Sequence, residues 1–331
     1  MKSWMVLAAL AAWLPVAAPR AASEWIEYAG GQGPGAGKRV VLLSGDEEYR
    51  SEEALPMLAR ILSTRHGFQT TVLFSINPTT HEIDPGTTGN IPGMEALDRA
   101  DLCIMSLRFR DLPDAQMKHF VDYVNAGKPI IAMRTSTHAF AYKGGDPSPY
   151  AKYDWQNKAW LGGFGRQVLG ETWVDHHGRH GSESTRAIVE AAAAAHPVLR
   201  GIGDIWCPTD VYSVVHLPAD ATLLARGQVL TGMKPEDGPL DGPKNHPMMP
   251  LVWVRNLPAP DGRQQRILAT TMGAAVDFKN EGLRRLIVNG AYWAVGLEVP
   301  AKASVDYVGS YDPLWFGFGK FKPGVKPADL Q

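Results

Sequence analysis

The chain has 331 residues, and its 33 lysines and arginines nearly balance 34 aspartates and glutamates, for a net charge of −1. This length fits one large α/β domain or two small ones. The chain has no basic patch and no arginine-rich run, so nucleic acid is not an expected partner. Its two cysteines, Cys103 and Cys207, permit one disulfide, but we expect both to be free because Cys103 lies in an apolar run typical of a buried strand.

The N-terminal segment, residues 1–23, is typical of a secretory signal peptide. Lys2 is followed by an apolar stretch from Met5 to Ala18 and then by small residues, which predicts cleavage between about Ala18 and Ser23. The apolar stretch is shorter than the roughly 20 residues that a membrane span needs. We therefore expect an exported protein, periplasmic or extracellular, that does not span a membrane.

Residues 24–37 are rich in glycine and predict a flexible lead-in to a domain over residues 38–299. In the first part of this domain short apolar runs alternate with helical patterns. This alternation predicts an α/β fold with a doubly wound, mostly parallel sheet and helices on both faces. The predicted strands are Arg39–Leu43, Thr70–Phe74, Leu102–Met105 and Pro129–Met133, and the clearest helices begin at Ser51 and at Pro113.

From Ala141 to about Pro258 the alternation breaks, and the sequence predicts an irregular insertion rich in Gly, Pro, Trp and His. Short strand candidates within it lie at Thr185–Val189, Asp210–Val215 and Thr222–Ala225. Longer strands are predicted at Leu251–Val254 and Arg266–Thr271, and a last helix begins at Glu281. Residues 300–331 are expected to form a C-terminal tail that packs on the domain.

Three loops are the expected location of a ligand site, because open parallel sheets bind ligands beyond the carboxyl ends of their strands. These loops are Ser44–Arg50, Ser106–Arg110 and Arg134–His138. They bring acids, arginines and a histidine to one edge of the sheet. The candidates among them are Asp46, Glu48, Tyr49, Arg108, Arg134 and His138.

A histidine cluster follows in the insertion, where Trp173-Val-Asp-His-His-Gly-Arg-His180 holds three of the ten histidines of the chain. Imidazole is the commonest metal ligand, although a metal site needs three or four converging ligands, and a polar surface loop is the plain alternative. We expect His176 and His177 to bind a divalent metal, zinc or similar, with His138 or Glu48 as the next ligand; His180 is the weakest candidate of the cluster.

Several ordered segments between Lys38 and Gly296 resemble the ThuA-like (trehalose utilisation) family. They are Val40–Glu53, His196–Gly201, Asp210–Tyr212, Pro250–Arg255, Thr270–Gly273 and Asn289–Trp293. The resemblance implies the flavodoxin-like fold of class I glutamine amidotransferases. It also implies a role in sugar metabolism, particularly of oxidised (3-keto) glycosides.

The chain departs from this pattern at two positions. The turn Met133–His138 contains no cysteine, so thiol-based glutamine hydrolysis is excluded there. Many family members have a histidine after the glycine of the late strand, whereas this chain has Gly273-Ala274. Any role of that histidine therefore cannot be transferred to this chain.

The residues favour an exported enzyme that acts on (3-keto) sugars or glycosides as a metal-assisted lyase, hydratase or hydrolase. Its expected partner is a small sugar, and an oligomer is compatible with the sequence. Two alternatives remain open: a non-catalytic sugar-binding or scaffold protein with a degenerate site, and a hydrolase that uses Ser136. The catalytic candidates are Glu48, Arg134, which would stabilise an enolate oxygen, and His138; the substrate-binding candidates are Asp46, Tyr49, Arg108, Trp173, Asp210 and Tyr212.

Overall fold

A computed structural model describes residues 23–142 and 148–331 of the chain. The predicted signal peptide, up to residue 22, lies outside the described residues and stays a prediction. No helix of the described part is long and apolar enough to cross a membrane. Both Cys103 and Cys207 are buried and free.

Ten strands form one sheet in the described residues, with the order β1-β3-β2-β4-β5-β10-β9-β8-β6-β7. The predicted α/β class is confirmed, because three α-helices accompany this sheet. The strands are β1 (Trp25–Tyr28), β2 (Arg39–Gly45), β3 (Gln69–Phe74), β4 (Leu102–Leu107), β5 (Ile130–Met133), β6 (Thr185–Val189), β7 (Trp206–Cys207), β8 (Thr222–Val229), β9 (Met249–Pro258) and β10 (Gln264–Thr270). The helices are α1 (Ser51–His66), α2 (Asp114–Asn125) and α3 (Glu281–Ala294).

Strands β3, β2, β4, β5 and β10 form a parallel block, and helices cover both of its faces. Alternate residues of each strand point to opposite faces. Leu42 and Ile131 therefore share one core with α1 and α3. Leu43 and Ile130 share the other core with α2. Burial on both faces explains why these strands are continuous apolar runs.

The prediction of a mostly parallel sheet is wrong, because four strand pairings are parallel and five are antiparallel. The turn that joins β9 to β10 spans only residues 259–263. A parallel crossover needs a dozen or more residues, so this connection forms a hairpin. The region predicted to be an irregular insertion supplies β6 to β9, which extend the sheet in antiparallel fashion. The half of the domain that contains β6 to β9 therefore does not form a doubly wound, flavodoxin-like sheet.

Both ends of the described chain pack on the domain. Strand β1 lies within the segment assigned to a lead-in, where it pairs antiparallel with β3. The carbonyl of Leu330 accepts hydrogen bonds from Tyr28 (3.3 Å) and from Arg60 of α1 (3.0 Å). The Tyr311 hydroxyl donates to the carbonyl of Ala275 at 2.7 Å. The C-terminal tail thus runs along the domain surface from the β10 side to β1.

Candidate functional site

The loops that follow β2, β4 and β5 meet at one edge of the sheet, as the sequence predicted. Each contains a non-glycine residue in the left-handed region: Arg50 (φ 61°), Phe109 (φ 51°) and Arg134 (φ 46°). Such conformations cost of order 1–3 kcal/mol and cluster at functional sites, where the surrounding contacts hold them. The strained residues of the three loops therefore mark this edge as a candidate functional site.

Asp46 holds the first loop in place from a fully buried position. Its Oδ1 accepts hydrogen bonds from the backbone N–H groups of Glu48 (2.8 Å) and Tyr49 (2.9 Å), and its Oδ2 accepts one from the Thr135 hydroxyl. Both oxygens are thus engaged within the protein. Asp46 positions the loop in this structure, and its predicted contact with a substrate stays a prediction.

Arg134 is also fully buried, and its guanidinium is surrounded by partners. It donates to Asp210 Oδ1 and to the Asp210 carbonyl, each at 2.7 Å. The guanidinium carbon lies 4.4 Å from the ring centre of Tyr49 and 3.9 Å from that of Tyr212, both within cation–π range. Arg134 has no exposed surface and fixes Asp210 in this structure; its role at an enolate oxygen stays a prediction.

Asp210 is the acceptor at the centre of the site. Although burial raises the pKa of its carboxyl, the Arg134 guanidinium and hydrogen bonds from two histidines hold that pKa well below its usual range. His176 Nδ1 lies 2.6 Å from Oδ2, and His180 Nδ1 lies 3.1 Å from Oδ1. Because an ionised carboxylate only accepts, His176 and His180 each donate a hydrogen bond to Asp210 through Nδ1.

His176, His180 and Asp210 form a group that could hold a divalent metal, which would replace the Nδ1 protons that the two histidines donate to Asp210. Each offers one ligand atom, and these atoms lie within 4.8 Å of one another. Two imidazoles and a carboxylate suit zinc or a similar ion, and three protein ligands leave a coordination position open for water or substrate. His180 is the weakest candidate of the cluster by sequence, whereas the geometry places it in this group.

His177 does not join that group. Its Nε2 lies 2.8 Å from the carbonyl of Lys244, and its backbone N–H donates to the carbonyl of Val211. The predicted pair His176 and His177 is therefore replaced by His176 and His180. Gly178, which separates His177 from His180 in the chain, packs closely on Asp210, since an added Cβ would lie 3.1 Å from Asp210 Cβ.

Pairing within the insertion brings the histidines to Asp210. His176 and Tyr212 form an isolated antiparallel β-bridge, and the Ser213 N–H donates to the carbonyl of Asp175 at 2.8 Å. The two segments are more than 30 residues apart in sequence, so periodicity gave no sign of this contact. This bridge brings the histidine-rich loop next to Asp210.

Glu48 approaches this group from the β2 loop, with Oε1 3.4 Å from His180 Nε2. Burial and, next, the nearby Asp46 raise the pKa of the Glu48 carboxyl, while Arg108 and His180 partly offset this rise. Glu47 is occupied differently, because it forms ion pairs with Arg108 and Arg110. Glu48 is thus the carboxylate that faces the histidines.

Aromatic side chains pack beside His176. Trp173 lies with its ring centre 4.9 Å from His176, 4.5 Å from Tyr212 and 5.0 Å from His138. His138 is almost fully buried, and burial, with Arg108 and Arg134 next, lowers its pKa well below the usual value. His138 is therefore neutral and packs with these aromatic rings. It does not belong to the group formed by His176, His180 and Asp210.

The predicted residues therefore separate into two layers. The site surface, as we call it, consists of the partly exposed residues Arg108, Trp173, His176 and His180, with the buried carboxyl of Glu48 next to His180. Beneath it lie Asp46, Tyr49, Arg134, His138, Asp210 and Tyr212, which are buried. Ser136 is buried too, and its hydroxyl donates to the carbonyl of Met105 at 3.0 Å and accepts from the Leu107 N–H, which leaves it without the exposure of a nucleophile.

The C-terminal tail contributes residues that the sequence analysis did not assign to the site. The Gly317 N–H donates to the carbonyl of Glu48 at 2.7 Å. The ring of Phe316 lies 5.5 Å from Tyr49 and 5.3 Å from His180, centre to centre. Ala274, the position where many relatives have histidine, is buried in the same cluster with Tyr49 and Phe316. The only sequence signal was the aromatic run at residues 315–318.

Comparison with known proteins identifies the family. The model of the ThuA (trehalose utilisation) family matches residues 39–294, and the chain belongs to this family. That match includes the loops, the histidine cluster and Asp210, and it ends before the tail. Comparison with curated proteins gives no match.

Two solved structures are similar to the chain at low sequence identity. A ThuA-like protein from Parabacteroides merdae is 14% identical, covers 80% of this chain and 92% of its own, and gives a TM-score of 0.49. A ThuA-like protein from Bacteroides uniformis is 14% identical, covers 81% of this chain and 95% of its own, and also gives a TM-score of 0.49.

Proposed function

We propose that this protein is an exported enzyme of carbohydrate metabolism that removes a proton next to the carbonyl group of a 3-keto sugar or glycoside. It then acts as a lyase or hydratase, or completes a net hydrolysis by adding water. The family name, trehalose utilisation, supports a carbohydrate as substrate. The signal-peptide pattern of residues 1–23 supports export.

One observation carries the chemical part of the proposal: Glu48, a carboxylate with a raised pKa, lies beside His180, which is one of two histidines that hydrogen-bond to the buried Asp210. A general base works best when its pKa approaches the working pH. Burial moves Glu48 in that direction, and the 3.4 Å approach to His180 places it at the site surface. Glu48 is therefore the base that we assign to the C2 proton.

The elimination requires one protein group, Glu48, which acts first as the base and then as the acid. A carbonyl at C3 acidifies the C2–H bond, and Glu48 takes the proton. The electron pair of that bond becomes the C1–C2 double bond as the C1–O bond breaks. The aglycone oxygen leaves with its electron pair and receives the proton that Glu48 carries. Addition of water to the unsaturated product by the reverse steps is the hydratase reaction.

A divalent ion suits the same site, because His176, His180 and Asp210 present a ligand set that fits zinc or a similar metal. Such an ion would supply polarisation of the substrate carbonyl when bound. Arg134 holds Asp210 ionised and in place, and Trp173 and Arg108 offer contacts for the sugar. The buried tyrosines Tyr49 and Tyr212 keep Arg134 aligned.

Hydrogen–deuterium exchange at C2 tests this proposal directly. A 3-keto glycoside is incubated with the protein in D2O, and loss of the C2 proton signal is followed by NMR. We expect exchange with the wild-type protein and at least a 100-fold slower rate for Glu48→Gln, which is the usual contribution of a general base. His177→Ala serves as the matched control and should exchange at the wild-type rate. Sugar binding without exchange in the wild type would instead indicate a non-catalytic sugar-binding protein.

A further inference from the structure

The C-terminal tail lies outside the region that matches the family model, yet it forms part of the site surface. The family match ends at residue 294, whereas residues 314–318 contact the β2 loop and a candidate ligand. The Gly317 N–H bonds to the Glu48 carbonyl at 2.7 Å, and the Leu314 N–H bonds to Glu53 at 2.7 Å. Two backbone bonds thus fix this segment beside the proposed base.

The segment presents aromatic side chains that the fold does not use. Trp315 is 48% exposed and Phe318 is 59% exposed, although side chains of this size bury well in a core. The Trp315 ring stacks on Phe316 at 5.0 Å with an angle of 25°, so a buried neighbour orients it. The ring centre of Phe318 lies 4.8 Å from the guanidinium carbon of Arg108, which also lies 4.4 Å from the ring centre of Phe109. Both rings are therefore oriented by neighbours while a large part of their surface remains free.

We propose that Trp315 and Phe318 form a binding subsite for the aglycone of a glycoside, specifically for an aglycone that contains a ring. This inference rests on the proposed function. The aglycone oxygen receives its proton from Glu48, so the departing group lies next to Glu48. The tail is bonded to Glu48 itself, and Phe316 contacts His180, so the tail aromatics extend the site surface on that side. Flat rings stack favourably on exposed aromatic faces.

The test compares two ligands that differ only in the aglycone, the 4-nitrophenyl and the methyl glycosides of 3-ketoglucose. Calorimetry on the catalytically slow Glu48→Gln protein gives both affinities without turnover. We expect the nitrophenyl glycoside to bind about 5–10-fold more tightly, the gain typical of one aromatic contact. When Trp315→Ala and Phe318→Ala are added to the Glu48→Gln protein, the ratio of the two affinities should fall close to one. The affinity for the methyl glycoside should stay unchanged.

Leu314→Ala is the matched control, because Leu314 is similarly exposed in the same segment, and it should keep the preference. A preference that survives in the Trp315→Ala, Phe318→Ala protein would overturn the subsite alone. Binding of both ligands without C2 exchange by the wild type would overturn the proposed reaction, while the preference would still decide the subsite. Absence of binding to either ligand would overturn both.

Discussion

Arg134 and Asp210 form an ion pair in which neither side chain is exposed, with Nη2 2.7 Å from Oδ1. Arg134 begins the loop after β5, whereas Asp210 comes from the insertion between β7 and β8, so the pair joins the parallel and antiparallel halves of the sheet. The same aspartate receives hydrogen bonds from His176 and His180. The buried pair of Arg134 and Asp210 therefore joins the two halves of the sheet and also positions His176 and His180.

Replacement of Asp210 should cost the protein much stability. Asp210→Asn leaves the Arg134 charge buried and unpaired, and breaking a buried pair in this way typically costs about 3–5 kcal/mol. Chemical denaturation measures the free energy of unfolding. Asp204→Asn is the control, because its ion pair with Arg186 is exposed and should contribute only about 0–1 kcal/mol. Similar losses for the two variants would contradict the role assigned to Asp210.

The pH dependence of C2 exchange should report Glu48. A general base acts in its ionised form, and burial raises the pKa of this carboxyl above 4.5. Exchange should therefore decline as the pH falls through a pKa above 4.5, and Glu48→Gln should remove this acidic limb along with most of the rate. An acidic limb of unchanged position in the residual activity of Glu48→Gln would assign the base to another residue.

The stability of the protein should also depend on pH through Glu52, at the start of α1. Its carboxylate oxygens have no hydrogen-bond partner among the described residues, Arg50 Nε lies 3.5 Å away, and burial raises the pKa of Glu52 to about 8. A folded-state pKa above the unfolded value of 4.5 gives stability that is complete below pH 4.5 and is lost as the pH rises towards 8.

We therefore expect the free energy of unfolding to fall between pH 5 and pH 8 by more than about 1.4 kcal/mol, the equivalent of one pKa unit. Glu52→Gln should flatten this slope, whatever its effect on absolute stability. Glu298→Gln is the control, since Glu298 is almost fully exposed and should leave the slope unchanged. Equal slopes in wild type and Glu52→Gln would contradict the prediction.

Ser136 should prove structural. Its hydroxyl bonds to the backbone of β4 at Met105 and Leu107, so Ser136→Ala leaves buried groups unpaired and should cost about 1–3 kcal/mol of stability. Exchange at C2 should persist, and an active-site serine probe should not label the folded wild-type protein. Labelling that disappears in Ser136→Ala would instead support a serine hydrolase.

The sequence predicted the parallel half of the fold well, because its strands are continuous apolar runs such as Val40–Leu43, separated by clear helices. It also predicted the meeting of the three loops, which follows from parallel topology. The antiparallel half was harder, since short strands such as Trp206–Cys207 carry little periodicity, although the short turn before Arg263 was a hairpin signal.

At the site, the sequence indicated which residue types are present but not how deeply their side chains are buried. Asp46 and Arg134 have the chemistry of substrate ligands, yet their hydrogen bonds hold them beneath the surface, and only the folded structure shows this. The choice of His180 over His177 depends on the bridge between His176 and Tyr212, a long-range pairing. The tail residue Phe316 reaches His180 from far along the chain, which no local pattern predicts.

The most direct test of the account is the metal content of the mature protein and of two histidine variants, by elemental analysis after loading with zinc. The geometry predicts about one ion in the wild type, loss of that ion in His180→Ala, and retention in His177→Ala, because His180 belongs to the convergent group and His177 bonds to the Lys244 carbonyl. Retention in His180→Ala with loss in His177→Ala, or no metal in any of the three proteins, would contradict the assignment of His176, His180 and Asp210 as a metal site.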